Sequence, residues 1–327
     1  MKHRILFFLP LLALPLAALL SMAIGSANIP IDRFFGGLFG NTGYETESAI
    51  LLYIRLPRTL GALLAGAALS LAGVLLQHVM DNPLAGPNTV GVNAGAGFFT
   101  ILMLSLWPTA SLLLPIAALL GAFLTALLIL ALARLAGGGR STVILAGIAC
   151  SSLFSAGVSF FSVLDTDVLA AYSAFSVGGL AGVKLSMLAL PAILTLLALI
   201  GALLLSRPLS ALALGDGSAA ALGVRVKTVR TVAVLLAAMA AGAAISFAGL
   251  LGFVGLAVPH MTRRLYGHGL LRELLLAPPI GATLLLLADL LARTLLAPSD
   301  IPVGILTALL GAPFFLILLL GRRNDHA

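Results

Sequence analysis

The sequence predicts an all-α protein that crosses a lipid bilayer about ten times. Of its 327 residues, 61% are hydrophobic and 9% are charged, and the mean hydropathy is +1.18. A soluble domain carries about 25% charged residues. The apolar runs are continuous in Leu, Ala, Val and Gly and lack the alternation of β-barrel strands, so the spans are helices. A soluble protein with a large core does not account for runs of this length.

Ten uncharged stretches are candidate transmembrane helices. The eighth is too short to cross about 30 Å of hydrocarbon at about 1.5 Å per residue. It is either a half-helix or part of a hairpin with the seventh, bent at Gly249, Gly252 and Gly255, and nine or eight spans are the alternatives. The stretches are residues 5–24, 59–80, 91–107, 111–133, 142–164, 186–206, 231–250, 251–262, 274–296 and 303–321. We expect residues 1–327 to form a single transmembrane domain with no soluble domain.

The first stretch resembles a signal peptide, because basic residues precede an apolar run and small residues follow it. The apolar run, residues 5–24, is longer than the usual hydrophobic region of such a peptide. We therefore expect it to be retained as the first span.

The basic residues predict the orientation in the membrane. With the N-terminus in the cytoplasm, five of the 18 basic residues fall in outside segments and the remainder fall inside. The positive-inside rule then places both termini in the cytoplasm. It also explains the formal net charge of +7 without nucleic-acid binding. The outside residues are Arg33, Arg55, Arg58, Lys184 and Arg293.

Small residues recur on the second candidate helix. Gly61, Ala65, Ala68 and Ala72 follow one another at helical spacing, with Gly66 nearby. Because lipid offers no hydrophobic drive for helix association, close approach through small residues supplies the packing. The pattern predicts a compact bundle.

No motif for catalysis or ion coupling stands out in the sequence. It lacks the G-x-x-x-x-G-K-[ST] phosphate loop, its five histidines lie far apart, and Cys150 has no disulfide partner. Asp289 is the main acidic residue within a span, and Arg293 lies one turn further on, where it can neutralise the acid. A membrane enzyme is therefore poorly supported. An ion-coupled secondary transporter is the alternative to a transporter that takes its energy from a partner.

The longest inside segment, residues 207–230, has the pattern of a docking loop. Pro208 breaks the preceding helix, and residues 210–214 and 218–222 are compatible with short helices. Gly215-Asp216-Gly217 separates the two, and Gly223 stops the second. Two such helices can sit in a groove of a cytoplasmic protein. An ordinary basic loop explains the composition equally well.

A polar interruption, DNPLAGPNTVGVNAGAG, occupies residues 81–97 between apolar runs. Asn82-Pro83 and Gly86-Pro87 prevent a continuous helix. Asn82, Asn88 and Asn93 can satisfy the backbone groups that such a break frees.

Several motifs together resemble the FecCD family, the permease subunits of ABC importers for iron chelates, haem and vitamin B12. They span nearly the whole chain in family order, although Gly86 stands where the family usually carries an acid. The motifs are IRLPRTLGALLAGAALSLAGVLLQ (54–77), NPLAGPNTVGVNAGAG (82–97), LALGDGSAAALGV (212–224), GFVGLAVPHMTRRL (252–265) and LLADLLARTLLAPSDIPVGILTALLGAPFF (287–315).

The resemblance implies a ten-helix permease of the type II importer fold in the inner membrane of a bacterium or archaeon. It pairs with a second permease subunit, usually identical, with two cytoplasmic ATPase subunits and with an extracytoplasmic binding protein. The chain itself is expected to bind no cofactor or metal, because ATP and Mg²⁺ are bound by the ATPase subunits. Ferric siderophore, haem, cobalamin and oxyanions all remain possible cargo.

The resemblance also implies roles for particular residues. Arginines at the positions of Arg55, Arg58 and Arg293 meet carboxylates of the binding protein, for which a planar guanidinium is suited. Snorkelling, or pairing with Asp289, is the alternative. Asn82 and Leu84 are expected at a cytoplasmic gate. A weaker second gate is expected at Ser141 and Thr142.

Two further sets of residues complete the expected site. The family's coupling loop transmits ATPase motion, and the fifth helix borders its translocation path. A serine stripe on that helix is also common in plain helix packing. The expected coupling residues are Leu214, Gly215, Asp216, Gly217, Ala220, Leu222 and Gly223, and the expected path residues are Ser151, Ser155 and Ser159.

Overall fold

The computed structural model describes residues 2–321, which form sixteen α-helices joined by short 3₁₀ and π-helical turns, with no strand among them. The basic residues Arg322 and Arg323, which we assigned to the cytoplasmic side, lie outside the described residues. The helices are α1 Lys2–Ala23, α2 Ile31–Leu38, α3 Glu45–Ala49, α4 Leu56–Met80, α5 Pro87–Val90, α6 Val92–Leu106, α7 Leu114–Leu135, α8 Arg140–Leu164, α9 Thr166–Val177, α10 Ala189–Leu204, α11 Ser206–Ala211, α12 Asp216–Ala221, α13 Val226–Ala248, α14 Val254–Tyr266, α15 Leu270–Thr294 and α16 Val303–Gly321.

Each of the ten predicted spans contains one of these helices, so the predicted fold class is confirmed. Six helical stretches are long and apolar enough to cross a membrane. Three shorter apolar helices, in α1, α6 and α16, and the half-helix α14 make up the ten. The six long stretches are Glu45–Met80, Leu114–Leu135, Arg140–Leu164, Leu185–Leu204, Val226–Ala248 and Leu270–Thr294.

The eighth stretch contains a short helix and follows a bend after the seventh, so both alternatives offered for it describe part of the structure. The 13-residue α14 follows a reversal in which Gly249 and Phe253 have φ values of 71° and 65°. Pro259 has no N–H to donate to the carbonyl of Gly255, four residues earlier. Nε2 of Gln77 lies 3.4 Å from that oxygen and satisfies it from α4. The half-helix therefore depends on α4 for its own hydrogen bonding.

The predicted start of the second span, at residue 59, is wrong. The helical stretch begins at Glu45 and continues to Met80 through a π-helical segment, Ile50–Arg55. Pro57 lies in the first turn of α4, where a missing N–H costs little. The charges at Arg55 and Arg58 suggested a loop, but both side chains are buried against partners and do not end the helix.

α4 is the central helix of the bundle and packs through small residues, as predicted. A Cβ added at Gly66 would lie 2.2 Å from the carbonyl oxygen of Gly281 on α15. One added at Gly73 would lie 1.8 Å from the carbonyl oxygen of Gly255 on α14. Any side chain at either glycine would push the neighbouring helix away.

Helices also form in two of the segments that join the predicted spans. α9 begins where Asp165 Oδ1 accepts hydrogen bonds from the N–H groups of Asp167 and Val168, at 2.8 and 3.3 Å. α2 and α3 lie in the segment between the first two spans, where Arg33 Nη1 donates to Glu47 Oε1 at 3.0 Å. That bond raises the pKa of Arg33 above its ordinary value.

The spans differ in how much of their surface the chain itself covers. The most apolar window of Glu45–Met80 is 78% buried, whereas that of α8 is 22% buried. Leu145, Leu153 and Phe160 on α8 are exposed. α8 therefore presents a long face to lipid or to another subunit.

Candidate functional site

Charged side chains gather at the two opposite ends of α4. We name the two groups after the residues at those ends, the Arg58 cluster and the Asp81 cluster. The Arg58 cluster consists of Arg58, Asp289, Arg293 and Asp300. The Asp81 cluster consists of Asp81, Arg140, Asp216 and Arg230.

The Arg58 cluster joins α4 to α15 by buried ion pairs. Nε of Arg58 lies 3.0 Å from both carboxylate oxygens of Asp289, and Nη1 donates to Asp300 Oδ2 at 2.6 Å. Nε of Arg293 is 3.7 Å from Asp289 Oδ2, and Nη2 donates to the Ser21 hydroxyl at 2.8 Å. The Asp289 side chain is fully buried. A buried charge is costly without a partner, and here two arginines balance it.

Arg55 joins the end of α1 to the second span. Its Nη1 donates to the carbonyl oxygens of Met22 and Ala23 at 2.8 and 2.7 Å, and its Nη2 contacts the carbonyl oxygen of Ala27. The residue is 3% exposed. Its guanidinium donates hydrogen bonds to carbonyl oxygens that the end of α1 leaves without partners.

Arg55 and Arg293 have internal hydrogen-bond partners in this chain, and the docking role expected for them and for Arg58 stays a prediction. Arg55 and Arg293 are buried, at 3% and 2% exposure. The alternative, pairing with Asp289, describes the positions of Arg58 and Arg293. Arg58 also lines a cavity of about 320 Å³ beside Asp300.

The polar interruption after α4 breaks the helix, as predicted. α4 ends at Asp81, which is left-handed with φ of 49°, and Asn82 Oδ1 accepts a hydrogen bond from the N–H of Leu84 at 2.9 Å. The Leu84 side chain is 40% exposed. The short helix α5 then ends at Gly91, whose φ is 95°. Residues 81–91, which include the expected gate residues Asn82 and Leu84 and are called the gate segment below, are therefore held by local turns.

Not every asparagine in this region does what the sequence suggested. The two polar atoms of Asn93 are buried without a hydrogen-bond partner. Thr89 supplies a bond instead, because its hydroxyl accepts from the N–H of Gly86 at 2.8 Å. A threonine three residues after a possible helix start is a capping signal that could have identified this contact.

The two expected gates are neighbours in the structure. Ser141 and Thr142 lie in the first turn of α8, where the Thr142 hydroxyl donates to the carbonyl of Gly139 at 2.7 Å. Arg140, the preceding residue, donates to Asp81 Oδ2 at 2.8 Å. This ion pair joins the first turn of α8 to the start of the gate segment, and no sequence motif singled it out.

The predicted coupling loop contains two short helices, as expected, with different boundaries. The first begins at Ser206, so Pro208 lies within its first turn, where proline is tolerated. The second begins at Asp216, so Asp216 and Gly217 belong to a helix and do not separate two helices. Leu214 and Leu222 are 64% and 67% exposed. We call residues 206–223 the α11–α12 loop; its exposed leucines form an apolar surface.

Asp216 holds this loop to the bundle. Nη2 of Arg230 donates to both carboxylate oxygens of Asp216 at 2.8 Å, and Nη1 donates to the carbonyl of Gly138 at 3.0 Å. The Arg230 side chain is 5% exposed. Nη2 of Arg140 donates to the Leu212 carbonyl at 2.6 Å. Arg140 thus connects the loop to the first turn of α8, and Arg230 connects it to α13 and to Gly138, just before α8.

The three serines on α8 do not form one continuous exposed stripe. Ser155 and Ser159 are exposed, and the Ser159 hydroxyl donates to the carbonyl of Ser155 at 3.0 Å. The Ser151 hydroxyl is buried next to Gly91 and has no partner. A path-lining role remains a prediction for all three.

A cavity of about 670 Å³ lies between the gate segment, the α11–α12 loop and the ends of α14 and α15. Glu273, which is fully buried, accepts from Arg263 Nη1 at 2.8 Å and lies 3.1 Å from His78 Nε2. Sequence reasoning missed this network because His78 and Glu273 are 195 positions apart and Arg263 and Glu273 lie on different helices. Within residues 2–321, no group of three His, Cys, Asp or Glu side chains is arranged to hold a metal ion.

A bundle of apolar helices with an interrupted segment, tied to an exposed loop, defines the transmembrane subunit of a transporter. The model of the FecCD transport family matches residues 12–321. The chain therefore belongs to the FecCD transport family, and it is a multi-pass membrane protein.

Two relatives illustrate the class. The chain is 38% identical over 319 residues to the hemin transport system permease protein HmuU of Yersinia pestis, covering 95% of this chain and 96% of that protein. It is 37% identical over 323 residues to the ferric enterobactin transport system permease protein FepD of Escherichia coli, covering 97% and 95%.

Solved structures agree with this assignment. One, described as an inward-facing metal-chelate type ABC transporter, has a TM-score of 0.86 at 31% identity and covers 96% of this chain and 98% of its own. PsaBC of Streptococcus pneumoniae shares the fold, with a TM-score of 0.61 at 18% identity over 88% of this chain and 95% of its own. The chain accordingly has the fold of ABC importer permeases.

Proposed function

We propose that this chain is the permease subunit of an ATP-driven importer that carries a metal chelate, of the haem or ferric siderophore class, into the cytoplasm. The observation that carries the proposal is the joining of the gate segment to the α11–α12 loop through the Asp81 cluster. Asp81 and Asp216 share Arg140, at 2.8 and 3.7 Å. If the loop docks on an ATPase subunit, its movement can then be transmitted to the gate segment through Arg140.

The partners follow from the surfaces that the chain leaves uncovered. The exposed leucines of the α11–α12 loop suit a groove in each of two cytoplasmic ATPase subunits, which bind ATP and Mg²⁺. The face of α8 suits a second copy of the permease, with Ser155 and Ser159 beside the path. This arrangement puts the Asp81 cluster and both termini in the cytoplasm, in line with the positive-inside rule. The Arg58 cluster then faces the extracytoplasmic binding protein, with Arg58 at the contact.

The alternative, a secondary transporter with its own ion coupling, needs an acidic group that can bind and release an ion within the membrane. Asp289 is the candidate from the sequence, and both its oxygens are 3.0 Å from Arg58 Nε. A carboxylate neutralised in this way has no free charge for a proton or sodium ion. The geometry therefore favours the ATP-driven importer.

The experiment that tests the proposal reconstitutes the permease with its ATPase subunits and binding protein in proteoliposomes. ATP-dependent uptake is measured for hemin, ferric enterobactin, ferric citrate and cobalamin in parallel. We expect ATP-dependent accumulation of one iron-containing chelate. Accumulation that follows an imposed proton or sodium gradient, without ATP, would support the secondary transporter instead.

A further inference from the structure

We propose that Arg140 is the positioning residue that transmits movement of the α11–α12 loop to the gate segment. The inference rests on the proposed function, because only a permease driven by separate ATPase subunits has such a movement to transmit. Arg140 is the first residue of α8 and directly precedes Ser141 and Thr142. It therefore touches both expected gates and the expected coupling loop.

The guanidinium of Arg140 contacts the two moving parts with different nitrogens. Nη1 donates to Asp81 Oδ2 at 2.8 Å, at the start of the gate segment. Nη2 donates to the carbonyl of Leu212 at 2.6 Å, within the α11–α12 loop. Because the guanidinium is a rigid planar fork, displacement of one partner turns the group that holds the other. A lysine ammonium is a point charge and does not hold two partners in a fixed relative geometry.

The charges of this pair lie at helix ends that disfavour them. Arg140 places a positive charge at the N-terminus of α8, and Asp81 places a negative charge at the C-terminus of α4. Both positions oppose the helix dipole. The pair is favourable because each charge neutralises the other, so its formation depends on how closely α4 and α8 approach.

Arg140 also has a second carboxylate within reach. Its Nη2 is 3.7 Å from Asp216 Oδ1, beyond hydrogen-bond distance, while Arg230 holds Asp216 to α13. Side-chain exposures of 59% for Asp81 and 48% for Asp216 let water replace either partner during an exchange. A small shift of the loop would therefore bring Arg140 toward Asp216 and away from Asp81. The structure shows the first of these arrangements, with Arg140 on Asp81, and the two together would form the two-state element that coupling requires.

The test measures the gate directly in the assembled permease–ATPase complex in nanodiscs, so it needs no identified cargo. The single native cysteine is replaced by Cys150→Ala, and Asn82→Cys reports the gate through its rate of labelling by a hydrophilic maleimide. Labelling is compared without nucleotide and with ATP plus vanadate. We expect an about tenfold change between these states in this background, and Arg140→Gln to reduce it to less than about twofold.

Arg134→Gln is the matched control. Arg134 lies at the same end of the bundle, and its Nη2 donates to Thr231 Oγ1 at 3.1 Å, away from the gate segment. The control should retain the tenfold change and hydrolyse ATP at the normal rate. An unaltered change in the Arg140→Gln variant would overturn the proposal. If even the Asn82→Cys background shows no change, the proposed function itself fails, and the proposal with it.

A double-mutant cycle separates transmission from a general structural role. If Asp81 and Arg140 act through one link, Asp81→Asn combined with Arg140→Gln reduces the nucleotide-dependent change no further than Arg140→Gln alone. Losses that multiply would show that the two residues act separately and would reject the link. Gel filtration of each complex checks that the variants assemble.

Discussion

The two ends of α4 carry the same charged groups in different surroundings. Each cluster contains two arginines and two aspartates, but the Asp289 side chain is fully buried whereas that of Asp81 is 59% exposed. A buried charge that loses its partner is costly, and an exposed one exchanges its partner with water at little cost. The comparison indicates that the Arg58 cluster fixes the helices, and it supports the proposal that the Asp81 cluster joins parts that move.

The largest predicted effect is the loss of stability on Asp289→Asn. The substitution leaves Arg58 and Arg293 buried without their shared counter-charge, and breaking such a pair costs about 3–5 kcal/mol. Thermal unfolding of the purified permease in detergent measures this, with Asp216→Asn as the matched change at the other end. Equal losses for the two variants would remove the difference between the clusters.

The second prediction concerns function at the Asp81 cluster. Asp216→Asn removes the charge that Arg230 holds with two 2.8 Å bonds. Because Asp216 is half exposed but the Arg230 side chain is only 5% exposed, we expect a stability loss of about 1–3 kcal/mol, smaller than that of Asp289→Asn. Hemin or ferric-siderophore uptake per hydrolysed ATP should fall about fivefold, the effect of losing a charge-assisted hydrogen bond. Normal uptake would exclude Asp216 from coupling.

The local parts of this comparison could be predicted from the sequence, and the long-range parts could not. The Asp289–Arg293 pair follows from their spacing of four residues on one helix. The bond from Arg58 to Asp289 joins residues 231 positions apart, and that from Arg140 to Asp81 joins residues 59 positions apart. Such contacts arise from helix packing, which the apolar pattern does not encode.

The same division applies to the helices. Continuous apolar runs predicted all ten spans, because a bilayer demands them. The start of the second span was missed, since charges that normally end a span are here neutralised by distant partners. α9 was also missed, although Asp165 is a local capping residue that could have revealed it. The docking role of the three arginines came from family resemblance, and it stays a prediction.

The third prediction tests the proposed docking role of Arg58. Asp300 accepts from Arg58 Nη1 at 2.6 Å and is partly exposed. Asp300→Asn weakens this bond and frees one edge of the guanidinium, so affinity for the binding protein should rise about threefold if a partner carboxylate binds there. Surface plasmon resonance with the purified binding protein measures it. Unchanged affinity would leave Arg58 with a structural role alone.

The smallest effect is expected at the exposed Arg33–Glu47 pair. Its bond is 3.0 Å long, but the Arg33 side chain is 56% exposed and screened by water. Arg33→Gln should leave the melting temperature of the permease unchanged. A shift comparable to that of Asp289→Asn would show that exposure does not separate structural pairs from incidental ones.

The central claim is that this permease moves cargo only with energy from separate ATPase subunits. The most direct test compares proteoliposomes containing the purified permease alone with those that also contain its ATPase subunits, both with the binding protein and labelled hemin or ferric siderophore. The account predicts accumulation against a gradient only when the ATPase subunits and ATP are present. Accumulation by the permease alone would contradict it.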